Sequence, residues 1–258
     1  MTAAAASTAP YRPRRRLLAH DGGLVAVLRY YESSAAQPMH SHEATQVSFL
    51  LLGTMQEMQG ARDYEPTAGS VGFKPAGCPH SDRFGRDGAL ILAIETIAPA
   101  AVSRSGWSAH IDDKARMALT RLAIDTSGSS LATEAMHDLL SNADDRLHES
   151  SRRPPRALVM AREQLQDEPE RCRIDALSEN LGIERTHFAR LFRRHFGVPP
   201  SLYRARQMTA KATRALLGES RTIADAAFAA GFADHSHYTR TLRRFTGLSP
   251  QRLRALLS

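Results

Sequence analysis

An eight-residue pattern occurs twice in the last third of this 258-residue chain, and no other feature restricts the fold so tightly. His187-Phe188-Ala189-Arg190-Leu191-Phe192-Arg193-Arg194 lines up with His237-Tyr238-Thr239-Arg240-Thr241-Leu242-Arg243-Arg244 at an offset of 50. The match runs on through Gly197 and Gly247, Pro200 and Pro250, to Arg204 and Arg254. Upstream, Ile174 pairs with Ile223 and Gly182 with Gly231 at an offset of 49, so the second turn has gained one residue. Length variation of that kind belongs in a turn.

Each copy has the grammar of two helices joined by a tight turn. In the first, Ile174, Leu177 and Leu181 face inward, Gly182 turns the chain, and a helix from about Arg185 to Phe196 follows. In the second, Ile223, Ala226 and Ala227 face inward, Gly231 turns, and a helix runs from about His235 to Thr246. Glycine suits both turns because a positive φ costs it little. The units therefore span about 174–196 and 222–246. Phe188, Leu191 and Phe192 form the inner face of one second helix, and Tyr238, Thr241 and Leu242 that of the other.

The outward faces carry the chemistry. Arginine matches guanine O6 and N7 bidentately, and Ser, Thr and His bond base or phosphate edges. Residues near the start of such a helix reach deepest into a groove. Arg185, Thr186, Arg190, His235, Ser236, Thr239 and Arg240 are thus the candidate base readers. Arg193, Arg194, Arg243 and Arg244 are placed to grip phosphates. Any one of these arginines could simply solvate a helix; the repeated Arg-x-x-Arg-Arg at matching positions argues for a shared task. Between the copies, Leu202, Ala205, Met208, Ala212 and Leu216 recur at helical spacing and predict one spacer helix. A helix of that length, about 25 Å, would set two readers near one DNA turn apart, about 34 Å.

Charge divides the chain in the same place. Residues 152–258 hold 20 Lys and Arg against 10 Asp and Glu, whereas residues 1–151 hold 14 against 17. A basic domain beside a slightly acidic one fits a polyanionic partner for the former and another task for the latter. An anionic membrane surface would satisfy charge alone, but no apolar run approaches the roughly 20 residues needed to span a bilayer. Two cysteines, Cys78 and Cys172, make no disulfide framework and favour a reducing compartment, hence the cytoplasm. The start, through Arg14, Arg15 and Arg16, reads as a disordered leader with a solvated charge run.

From Leu24 to about Ile97, short apolar runs between Gly- and Pro-containing turns predict strands, with Val47, Phe49 and Leu51 alternating as in a half-buried one. Between 112 and 147 the period becomes helical: Ala115, Leu119, Leu122 and Ala123, then Leu131, Ala135, Leu139 and Leu140. Ser150 to Pro155 form a polar, proline-stiffened link. The fold class is α+β multidomain: a β domain at 20–100, linker and dimerisation helices at 101–150, and an all-α double helix-turn-helix at 155–258.

From Pro155 to Ser258 the chain resembles the AraC/XylS family of bacterial transcription regulators. Phe192-Arg193-Arg194-x-Phe196-Gly197-x-x-Pro200 and Thr222-Ile223-Ala224-Asp225-Ala226-Ala227 before Gly231-Phe232 carry the likeness. Departures are Glu184 and Ala233 where serine is common and Thr246 where phenylalanine is, which bear on capping and operator preference. In the other domain, His40-Ser41-His42, Gln46 and Gly53, then Gly69, Pro75-Ala76-Gly77 and His80, are similar to the two motifs of a cupin barrel. In metal-binding cupins the two early histidines, a glutamate and the late histidine ligate a divalent metal. Here Gln46 replaces the glutamate and Phe84 a frequent asparagine, so His40, His42, Gln46 and His80 line either an effector pocket or a divalent metal site. Cys78, Met39, Met55 and Met58 read as packing.

The resemblances imply a non-enzymatic regulator in which a cupin-like domain senses a small-molecule effector and the helical module binds double-stranded promoter DNA. They imply a homodimer, no membrane, and contact with RNA polymerase if it is an activator. The alternative is a metal-dependent cupin enzyme with an appended DNA-binding module; loss of the anionic ligand at Gln46 counts against it.

Overall fold

The computed structural model describes residues 11–97, 105–108, 121–122, 134, 154–218 and 222–258. Eight strands come first: β1 Arg14–Asp21, β2 Leu24–Tyr31, β3 Ala36–His40, β4 Thr45–Gln59, β5 Arg62–Tyr64, β6 Val71–Lys74, β7 His80–Thr96 and β8 Gly106–Ser108. They form one antiparallel sheet in the order β1-β2-β7-β4-β6-β8, with β3 added to β7 and β5 to β4. Seven described helices follow: α1 Arg156–Asp167, α2 Ile174–Asn180, α3 Arg185–Phe196, α4 Pro200–Leu217, α5 Ile223–Ala229, α6 His235–Thr246 and α7 Pro250–Leu257. The fold class is the one the sequence implies, an antiparallel β domain followed by a helical double helix-turn-helix.

The first strand corrects the expectation of a disordered leader reaching Arg16. Arg14 to Asp21 pair with Tyr30 to Leu24 of β2, and Leu18 and Ala19 are buried. The register shifts between Leu17 and Ala19, and such a bulge breaks the alternation by which a strand is recognised. Arg14 is anchored rather than solvated: its guanidinium donates to the Leu217 carbonyl at 2.8 Å and pairs with Glu32.

β4 is buried along most of its length instead of on one face. Val47, Phe49 and Leu51 enter a core that continues into Met208, Ala212, Leu216, Tyr238, Leu242 and Leu253 of the helical domain. Leu50 and Met55 face the other way, packing with Tyr31, Phe84 and Ile91. The helices thus cover the sheet face that a free β domain would expose, and α4 lies against both β4 and β7. The first helical unit has a separate core, in which Leu158, Leu165, Leu177, Phe188, Phe192, Phe196 and Tyr203 cluster.

The expected helices at 112–147, and with them the dimerisation reading, lie outside the described residues except Arg121, Leu122 and Glu134; Leu122 is buried in the shared core. Most of the polar link at 150–155 is likewise outside. Among the described residues, no helix is long and apolar enough to cross a membrane.

Candidate nucleic-acid interface and imidazole cluster

Both helix-turn-helix units form at the expected residues, and the reasons are local. Gly182 and Gly231 take φ of 65° and 81°, which a side chain would oppose. The Glu184 carboxylate accepts from the backbone N–H of Thr186 and His187 at 2.7 and 2.9 Å, capping α3 in place of the usual serine. Those amide bonds hold the Glu184 carboxyl below the ordinary carboxylate range. At the second unit Asp234, not Ala233, caps α6 by accepting from His237 N–H at 2.7 Å. Thr246 is buried with its hydroxyl donating to the Leu242 carbonyl at 2.8 Å, so the absent phenylalanine is replaced by a satisfied polar contact.

Phe188, Phe192 and Phe196 point one face of α3 inward; Tyr238, Leu242 and Thr246 do so for α6. This leaves Arg185, Thr186, Arg190, Arg193 and Arg194 exposed on α3, and His235, Ser236, Arg240, Arg243 and Arg244 exposed on α6, with Thr239 half-buried. Arg185 also pairs with Asp175 at 3.0 Å, a contact that a base would have to displace. The last arginines of each repeat do a different job. Arg204 Nε donates to the Pro169 carbonyl at 2.5 Å and Arg254 Nε to that of Leu216 at 3.3 Å, so this part of the repeat is structural.

In the β domain, His40 at the end of β3, His42 in the following loop and His80 at the start of β7 converge. Their ring centroids are 5.0, 4.2 and 5.0 Å apart, and one ligand atom from each lies within 4.8 Å of the others. His40 Nδ1 meets the Pro38 carbonyl at 2.8 Å and His80 Nδ1 the Cys78 carbonyl at 3.0 Å. A carbonyl only accepts, so Nδ1 is the donor in each ring, and Nε2 is the atom with a lone pair to offer a ligand when the ring is neutral. His80 Nε2 is buried without a partner. Burial, with His40 and Lys74 adding positive charge, holds His42 down to about 4; burial and Lys74 do the same to His80.

Gln46 is buried beside them but occupied: its amide donates to Glu95 Oε1 at 3.1 Å and its carbonyl accepts from Ser48 at 3.3 Å. Glu95 stands directly across the β4–β7 ladder from Gln46 and is paired with Arg29. A carboxylate is therefore still present, supplied from the neighbouring strand. From β6, where it stands opposite Gln46, Lys74 Nζ reaches Glu57 Oε2 of β4 at 2.8 Å with both side chains buried, and Gln59 donates to Glu57. Asp82, opposite Glu57, is pushed up to about 7 by burial. Glu95, Arg29, Lys74, Glu57 and Asp82 went unnoticed in the sequence, where only the period-two spacing of Glu57 and Gln59 hinted at a shared face. Three converging imidazoles, two with ring orientation fixed by backbone carbonyls, suit a borderline divalent ion such as zinc or ferrous iron.

A protein-family profile described as a helix-turn-helix domain matches residues 177–255. The chain is 32% identical over 82 residues to the HTH-type transcriptional regulator ExsA of Pseudomonas aeruginosa. Residues 177–255 form a helix-turn-helix domain. The matched stretch covers 32% of this chain and 30% of ExsA, so it spans under a third of that relative. Among solved structures, a transcriptional regulator with an AraC-type DNA-binding domain from Chromobacterium violaceum is 26% identical, covering 38% of this chain and 89% of its own, at a TM-score of 0.36. An RmlC-like cupin from Shewanella frigidimarina is 23% identical, covering 33% and 77%, at a TM-score of 0.31. The helix-turn-helix domain lies within the basic end of the chain.

Proposed function

We propose that this protein is a transcription regulator that binds promoter DNA in the cytoplasm through α3 and α6 and responds to an effector through its β domain. The observation that carries the reading is the pair of second helices, each with one face buried and an arginine-bearing face exposed, at equivalent positions of a repeated unit. Enrichment of fragments from a random DNA pool tests it: one recurrent motif supports the reading, and capture proportional only to fragment charge refutes it.

On a site so selected, Arg190→Ala or Arg240→Ala is expected to cost about 1 to 3 kcal/mol and relax preference at one base position. Arg194→Ala should weaken binding to all DNA alike and reduce the slope of log affinity against log salt by about 1. Titrations at several salt concentrations separate the two classes; equal losses on every sequence would contradict the assignment.

The effector reading is supported by placement. β4 and β7 carry Gln46 and His80 on one face and pack on α4 with the other, so a ligand that shifts these strands acts on the helix joining both readers. The residues that would hold a metal are His40, His42 and His80, where it would supply a fixed positive charge. A protein stripped with chelator should take up one equivalent of zinc or cobalt, and His80→Ala should lose more than about tenfold in affinity. Equal uptake by wild type and variant would remove the metal from the account.

A further inference from the structure

The two helix-turn-helix units sit on separate apolar cores. That of the first ends at Tyr203; that of the second takes up α4 from Met208 onward and merges with the β domain. Besides α4 itself, the segment between α1 and α2 joins the units. Arg204 Nε and Nη2 bond the carbonyls of Pro169 and Glu170 at 2.5 and 3.4 Å. The Glu170 carboxylate accepts from Lys211 Nζ at 2.7 Å, both side chains about three-quarters buried at 25% and 22% exposure. Its own Cβ then fills the space over the second turn, where a Cβ on Gly231 would come within 2.4 Å of it. Gly231 is thus required twice, for its φ of 81° and for this close approach. One side chain of this segment touches both the spacer helix and the turn that aims the second reader.

We propose that Glu170 is a positioning residue that fixes the angle between α3 and α6, so that both can enter successive grooves of one duplex; the proposal rests on the DNA-binding reading above. A helix of 18 residues sets the separation of the readers. Their mutual rotation is set at its flanks, and here the polar contacts of Glu170 bridge the gap between the cores. A two-part reader gains affinity from its second half only when geometry lets both engage at once. Loosening the strut therefore costs the complete site and spares each half.

The test uses the full-length protein and fragments selected by it from a random pool, as complete sites and as isolated halves. Glu170→Ala should lose about tenfold on the complete site and less than about twofold on each half, while the exchanged pair Glu170→Lys with Lys211→Glu restores binding. Equal losses on halves and complete sites would overturn the proposal, as would undiminished complete-site binding. A measurement without DNA separates this from failure of the DNA-binding reading. Spin labels on cysteines placed at the exposed positions Glu179 and Phe228, with Cys78 and Cys172 replaced, report the distance between the units. Its distribution should broaden in Glu170→Ala and narrow again in the exchanged pair; an unchanged distribution overturns the proposal whatever the DNA result.

Discussion

Replacing Phe192 by alanine is expected to cost about 3 to 5 kcal/mol and to melt the first helix-turn-helix unit ahead of the rest of the protein. The ring is fully buried, with neighbouring ring centroids at 5.7 Å to Phe188, 4.6 Å to Phe196 and 5.7 Å to Tyr203. Aromatic neighbours on three sides cannot collapse readily into the vacated volume, which places the cost toward the upper end of the range. Because this cluster is distinct from the core shared by the second unit and the sheet, the damage should stay local. The chain's single tryptophan, Trp107 on β8, makes this visible. Urea titration should show an early loss of helical circular dichroism while Trp107 fluorescence changes only later, at its wild-type midpoint. One coincident transition, shifted equally for both signals, would show that the two cores are energetically one.

Lys74→Met should destabilise the β domain by about 3 to 5 kcal/mol. The side chain it removes is 6% exposed and neutralises Glu57, whose side chain is wholly buried. Methionine preserves most of the volume, so the cost is electrostatic. Burial alone would raise the Glu57 carboxyl, and Lys74 with the Gln59 and Asp82 hydrogen bonds holds it below its ordinary value. In the variant Glu57 keeps its contact with Gln59 but loses the cation that opposes its burial. Adding Glu57→Gln removes the stranded charge and should recover most of the loss. Trp107 lies 5.9 Å from Lys74 Nζ and again reports the transition. A double variant no more stable than Lys74→Met would mean that packing, not charge, dominates the site.

Legibility tracked the range of the interactions. The bounds of α3 and α6 followed from the periodicity of their inward-facing residues and from glycine punctuation, all of it local in sequence. The three histidines were found because motif spacing signals them, and β3 with the start of β7 brings them together. Glu95 was invisible because its place opposite Gln46 depends on a ladder between strands some 50 residues apart. The Lys74–Glu57 pair was hidden likewise. The stripe on α4 named Met208, Ala212 and Leu216, but Gln207, Thr209 and Thr213 are buried too. Their acceptability depends on partners such as the Tyr238 hydroxyl, 3.3 Å from Thr213, that no local pattern can nominate. β1 escaped because a bulge interrupts its alternation.

Hydroxyl-radical footprinting of the full-length protein on a selected DNA fragment puts the whole account at risk in one measurement. Two protected segments on the same face of the duplex, about one helical turn apart, with Arg190→Ala clearing one and Arg240→Ala the other, are the predicted result. A single protected segment that either substitution removes, or protection that ignores sequence, would contradict a regulator built from two separately anchored readers.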